Sequence, residues 1–282
     1  MKYRINDNRI EEISKLFKWI GIYRIKVFEE YDAQFHAAKQ IVERCPQTAH
    51  YLIYLNSLIS YKLMYPGERF WLLFAHYASE RCSDLDGFKK VVDLVVDFTL
   101  KHNKIMVKQK IDRLRKISRC SDIVDFIDRC EFELISIRTA RCLQSESGLK
   151  TIVFSVKMLY YAVKAKGYDL VLPNTIPIPV DRRVALLTYL SGLIDVIGET
   201  NITPSKLLGI SKAIRNIWGR VSLLSSIPPL HIDSVLWCLG KYGYNSSTRS
   251  SILNAIDQHL VFSLGEETMR RIVDELFYRL PP

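Results

Sequence analysis

The chain has 282 residues, 48% of them hydrophobic and 25% charged, and a formal net charge of +10. This is the balance of a folded soluble protein with a core large enough to stand without staples, which excludes a disordered polyelectrolyte. Six dispersed cysteines form no C-x-x-C pair and no compact four-cysteine loop, which excludes zinc and iron–sulfur sites of the usual spacing.

From the N-terminus onward, helical spacing dominates. Ile13, Leu16, Phe17 and Ile20 form an i, i+3, i+4, i+7 set, and Val91, Leu94, Val95 and Phe98 form another. The first residues contain no long apolar run of the export type, so the chain is expected inside the cell, in cytoplasm or nucleoid, with its thiols reduced and buried. The most apolar stretch, YLIYLNSLISY at 51–61, is too short to span a bilayer and is expected to be a core helix. Alternating strand patterns are absent, so the expected class is all-α, with about ten helices divided at turn-forming segments such as YPGE (65–68), SDLDG (83–87) and LQSESG (143–148).

Between Lys101 and Arg119 lie eight Lys/Arg and a single Asp. Val107, Ile111 and Leu114 share a face there, so the segment is expected to be one amphipathic helix with a basic outer side. That side suits either plain solvation or attraction of a polyanion. Lys150 then opens an apolar helix after a glycine-containing turn, seven residues before Lys157. An ammonium is disfavoured at a helix N-terminus, where the dipole is positive and N–H groups point outward.

Residues 172–181, LPNTIPIPVD, hold three prolines that forbid a helix and stiffen the chain into an extended strap. The strap ends on Asp181, a natural N-cap for the helix that follows. Later breaks fall at NITPS (201–205), SSIPPLH (225–231) and KYGYNSST (241–248). Taken alone, Trp71, Phe154 and Trp237 fit a packed core, Asp233 an ordinary helix-start carboxylate, and Trp19 and Trp218 simple packing. His231 fits a structural role or a phosphate contact.

A lysine after a hairpin, a Pro-Val-Asp strap and a basic surface together resemble the helix-hairpin-helix DNA glycosylase superfamily. The segments KTIVFSVKMLYYA (150–162), LPNTIPIPVDRRVALLTYLSGLID (172–195) and IPPLHIDSVLW (227–237) are similar to its archaeal 8-oxoguanine DNA glycosylase/AP lyase group, AGOG, as are YDAQFHAAKQIVE (31–43) and NSLISYKLMYPGERFWLLFAHY (56–77). The hairpin SESGLK departs from the superfamily's G-x-G turn by keeping only Gly148. Residues 196–226 and those after Trp237 resemble the group only weakly.

The resemblance implies two helical subdomains with an active-site cleft between them. It places a central subdomain at 36–180 and a C-terminal one at 181–282 joined by the N-terminal helix of 1–35. It assigns Lys150 as the amine nucleophile that forms a Schiff base and Asp181 as its carboxylate partner. Helix start and dry cleft would both favour the neutral amine that nucleophilic attack requires. Gln34, Trp71, Phe154, Asp233 and Trp237 are implied to bind an extruded base. Lys157 competes with Lys150 for the nucleophile role, but its place beyond the turn suits a substrate-binding residue that reaches to a phosphate or to solvent. The implied activity is bifunctional excision of 8-oxoguanine from double- or single-stranded DNA in base excision repair, by a monomer with no cofactor, no metal and no membrane association. A glycosylase for another damaged or mispaired base, or a non-catalytic helical DNA-binding module, is the alternative.

Overall fold

A computed structural model describes all 282 residues. Its contacts divide the chain into two units, residues 33–176 and residues 1–32 with 177–282. The boundaries expected from sequence were 35/36 and 180/181.

In the unit 33–176 the helices run α2 (Ala33–Arg44), α3 (Ala49–Leu58), α4 (Gly67–Ser79), α5 (Gly87–His102), α6 (Val107–Ser118), α7 (Ile123–Asp128), α8 (Phe132–Leu143) and α9 (Lys150–Ala165). Their centre is α9. It is apolar on almost every side, so it is buried nearly all round from Thr151 to Val163, and it packs on α2, α3 and α8. Of the stretch 51–61 expected as a core helix, residues 51–58 are helical, within α3, with Leu52 to Leu58 all buried, and the chain leaves the helix at Ile59.

Three expectations fail in this unit. Residues 101–119 are not one helix: α5 ends at His102, Met106 takes a left-handed conformation (φ 57°), and α6 starts again at Val107. The basic helix is not wholly basic outward either, because Lys110 is fully buried. Four of the six cysteines are paired, Cys45 with Cys82 and Cys120 with Cys142. The first pair joins the residue after α2 to a residue just past the end of α4, helices that lie side by side. A tertiary neighbourhood of that kind leaves no trace in sequence spacing.

The other unit begins with β1 (Lys2–Ile5) and α1 (Asp7–Glu30) and resumes with α10 (Arg182–Leu190), β2 (Ile194–Ile197), α11 (Pro204–Leu207), α12 (Ser211–Ser225), α13 (Pro229–Gly240), α14 (Arg249–Ala255), α15 (Gln258–Leu264) and α16 (Glu266–Leu276). The β1–β2 pair is antiparallel, with Lys2 opposite Ile197, and it is the one strand element in a fold otherwise made of helices. At four residues each, these strands are too short for an alternating pattern to reveal them. The chain is cut more finely than the ten helices expected, because short α11, α14 and α15 lie in the last third.

Helix α1 packs against α12 and α13 and is broken at Gly21, whose φ of 74° lies in the left-handed region that glycine enters freely. Trp218 is buried, edge-on to Phe17, and donates to the Thr188 hydroxyl at 2.9 Å. Trp19, expected to pack, is 42% exposed with the Arg271 guanidinium 3.9 Å from its ring centre. No helix is long and apolar enough to cross a membrane.

Candidate active site

Helix α8 stops because Gln144 adopts a left-handed conformation (φ 52°), with its N–H and that of Ser145 returning to the carbonyls of Arg141 and Ala140. The hairpin turn follows, closed by a Leu149 N–H to Glu146 carbonyl bond of 3.0 Å, and Lys150 is the first residue of α9. Leu149 provides no side-chain cap, and no acidic residue occupies the first turn. Lys150 is exposed and lines a pocket of about 800 Å³ whose other walls come from the hairpin, from Tyr61 and from the basic side of α6. Arg113 of α6 donates to the Thr151 hydroxyl at 2.7 Å, one residue after Lys150. The dry surroundings expected of Lys150 are therefore absent from this unit's own geometry.

One turn on, Phe154 is half-buried and meets the ring of buried Trp71 edge-on at 6.1 Å and 71°. Gln34 is buried on α2, which packs on both α4 and α9. Gln34, Trp71 and Phe154 thus come from three adjoining helices of one unit. Lys157 does not reach out to phosphate or solvent as expected. It is 1% exposed, with its ammonium 5.4 Å from the centre of the Tyr161 ring, because α9 is enclosed at that depth.

Asp181, Asp233 and Trp237 belong to the other unit. The Asp181 carboxylate accepts from the Val184 N–H at 2.9 Å, which makes it the N-cap of α10 that its sequence position predicts. Two residues later, Arg183 lies 3.8 Å from the Trp237 ring centre and donates to the Trp237 carbonyl at 3.0 Å. Helices α10 and α13 approach closely enough for this because residue 240 is glycine: a Cβ there would sit 2.7 Å from Arg183 Cβ. Asp233 is 4% exposed on α13, between His231 and Trp237. His231 does not face phosphate. Its Nδ1 lies 2.6 Å from Glu29 Oε1 with both side chains fully buried, so it ties α13 to the end of α1.

Sequence reasoning missed Arg183, Arg113 and Tyr244. The "DRR" after the strap signals the first, but only its contact with Trp237 gives it a role. The Tyr244 phenol is pushed up by burial and then by the Asp181 charge, which marks it as a neighbour of that carboxylate.

Three comparisons bear on this geometry. The AGOG family model, described as N-glycosylase/DNA lyase, matches residues 14–271. The N-glycosylase/DNA lyase of Pyrobaculum aerophilum is 33% identical over 245 residues, covering 85% of this chain and 90% of that protein. The N-glycosylase/DNA lyase of Thermococcus kodakarensis is 31% identical over 248 residues, covering 84% and 86% respectively. The crystal structure of Pa-AGOG, an 8-oxoguanine DNA glycosylase from Pyrobaculum aerophilum complexed with 8-oxoguanosine, is similar with a TM-score of 0.71 at 27% identity, covering 92% of this chain and 96% of that one. With its hairpin, its exposed Lys150 and its capped Asp181, the chain belongs to the AGOG family of N-glycosylase/DNA lyases.

Proposed function

We propose that this chain excises 8-oxoguanine from DNA and then cuts the strand, with Lys150 as nucleophile and Asp181 as its carboxylate partner. The observation that carries the reading is Lys150 itself: in a chain of this family, an exposed amine stands at an uncapped helix start where stability alone favours a carboxylate. The Lys150 amine forms a bond to C1′ of the sugar while the C1′–N9 bond breaks and the base leaves with the electron pair. Loss of a proton from nitrogen and ring opening leave an imine. Removal of a C2′ proton then expels the 3′ phosphate oxygen, which is β-elimination.

Asp181 carries negative charge toward the sugar as positive charge develops on it. One of its oxygens is already committed to the Val184 N–H, which fixes the carboxylate's orientation. Water has to be excluded from Lys150 by the bound DNA, since the amine is exposed in the free protein.

Gln34, Trp71, Phe154, Asp233 and Trp237 are proposed to bind the extruded base. Aromatic faces stack on it, and carboxylate and amide groups take its edge. Lys157 lies buried against the Tyr161 ring on the same helix and takes neither the phosphate nor the solvent contact expected of it. 8-Oxoguanine differs from guanine by an N7–H donor and a C8 carbonyl, so a pocket that accepts from N7–H leaves guanine with facing acceptors, at a cost of about 1–3 kcal/mol. The protein acts inside the cell as a monomer, on double- or single-stranded DNA.

The test is borohydride reduction of the protein with an 8-oxoguanine duplex, against an undamaged guanine duplex. A covalent protein–DNA adduct on the lesion duplex alone is expected. Salt-sensitive binding to both duplexes with no adduct would leave a non-catalytic DNA-binding module. An adduct only on duplexes carrying another damaged base would correct the substrate.

A further inference from the structure

We infer that the pocket beside Lys150 is a clamp for one backbone phosphate flanking the lesion nucleotide, gripped by Arg113, Lys116 and Arg119 of α6. The inference rests on the glycosylase reading and deepens it, because it turns the basic segment from a diffuse field into a fixed subsite.

Charge comes first. The pocket is lined by five cations, Arg113, Arg115, Lys116, Arg119 and Lys150, against the lone carboxylate of Asp112. Three cations elsewhere in the same unit have a carboxylate beside them, Lys101 with Asp97 at 2.7 Å, Arg138 with Asp122 at 2.7 Å and Arg129 with Glu131 at 3.3 Å.

Arg113 points to a ligand. Its guanidinium is largely buried, yet its partners are the neutral Thr151 hydroxyl at 2.7 Å and the face of Tyr61 at 5.9 Å, and its Nε is buried without an acceptor. One turn earlier, buried Lys110 rests on the Lys62 carbonyl, the Asn103 side chain and the Tyr61 ring, again with no carboxylate. Charges sunk into protein without counterions are costly, and a guanidinium fork suits phosphate oxygens.

Rigidity follows from covalent structure. Cys120, just past the end of α6, is bonded to Cys142 in the last turn of α8, two residues before the hairpin starts. Lys116 and Arg119 are thereby held against the turn that presents Lys150. A nucleotide whose C1′ lies at the Lys150 amine brings its own 5′ and 3′ phosphates with it, so a phosphodiester is the anion this chemistry must deliver.

The experiment uses single-turnover strand cleavage of an 8-oxoguanine duplex carrying one uncharged methylphosphonate, placed 5′ of the lesion, 3′ of it or several nucleotides away. The wild-type protein is compared with Lys116→Ala/Arg119→Ala and with Lys89→Ser/Lys90→Ser, which removes equal charge from exposed positions on α5. We expect one flanking methylphosphonate to slow the wild type at least tenfold and the remote one to do little. The α6 variant should be slow on the ordinary duplex and lose nothing further on the neutralised one, and the position that shows this identifies the 5′ or the 3′ phosphate. Equal behaviour of the α6 and α5 variants, or equal cost at flanking and remote positions, overturns the clamp. If the wild type cleaves no lesion duplex, the glycosylase reading has failed separately. The same variants and methylphosphonates are then compared by affinity for a duplex holding a tetrahydrofuran abasic analogue, and there too equal behaviour overturns the clamp.

Discussion

Helices α9 and α10 begin in opposite ways. At α10 the strap delivers Asp181, whose carboxylate caps the Val184 N–H and complements the positive end of the helix. At α9 the N-cap residue is Leu149, which offers no side-chain bond, and the first helical residue is a cation facing a pocket lined with more cations. The protein completes one helix start with its own side chain. It leaves the other unfinished, at a cost of about 0.5–2 kcal/mol in capping alone. An arrangement that stability disfavours persists where a ligand or a reaction needs it.

The largest expected effect separates activity from stability at the unfinished start. Lys150→Gln should lower strand cleavage by roughly 10³-fold or more and leave the unfolding midpoint unchanged or slightly raised, since an exposed cation at a positive helix end is removed. At the completed start the order reverses between two substitutions. Asp181→Asn keeps a capping oxygen, so folding should be unaffected while excision slows by about 10²–10³-fold. Asp181→Ala should lose, in addition, about 1 kcal/mol in denaturant titration. Normal excision by the Asn variant would reduce Asp181 to a cap and nothing more.

A smaller effect concerns what holds the completed start in place. Gly240→Ala brings a Cβ against Arg183 and should cost about 1–3 kcal/mol, with a change in Trp237 fluorescence as Arg183 is displaced. The smallest sharpens the view of α6 as a helix with uncompensated charge. Burial pushes the Lys110 amine down to about 8 from its model-peptide value of 10.5. The folded protein therefore releases that proton before the unfolded chain does. Stability rises with pH between about 8 and 10.5, where the unfolded state binds more protons. Thermal unfolding of the wild type should gain on Lys110→Met across that window, and parallel pH profiles would show that the amine is not titrating there.

Much of this was legible in the residues. Period-3.6 patterns gave the helices, the three prolines gave the strap, and Asp181 before RRVALLTYL gave its own cap. Lys150 stood out because its residue type contradicts its position. The unread part depended on neighbours far apart in sequence. Nothing in the Lys101–Arg119 run says that Lys110 turns inward to Asn103 and the Lys62 carbonyl, or that Arg113 turns to Thr151. The fate of Lys157 is set by how deeply α9 is enclosed, which a helical wheel does not show. The disulfides and the Glu29–His231 pair join residues from 22 to 202 positions apart, and only packing brings them together.

One measurement bears most directly on the nucleophile: mass spectrometry of the peptides released from the borohydride-trapped adduct, to find which side chain carries the sugar remnant. A remnant on the Lys150 amine is the predicted result. A remnant on Lys157, or on any other lysine, would contradict the reading of the two helix starts.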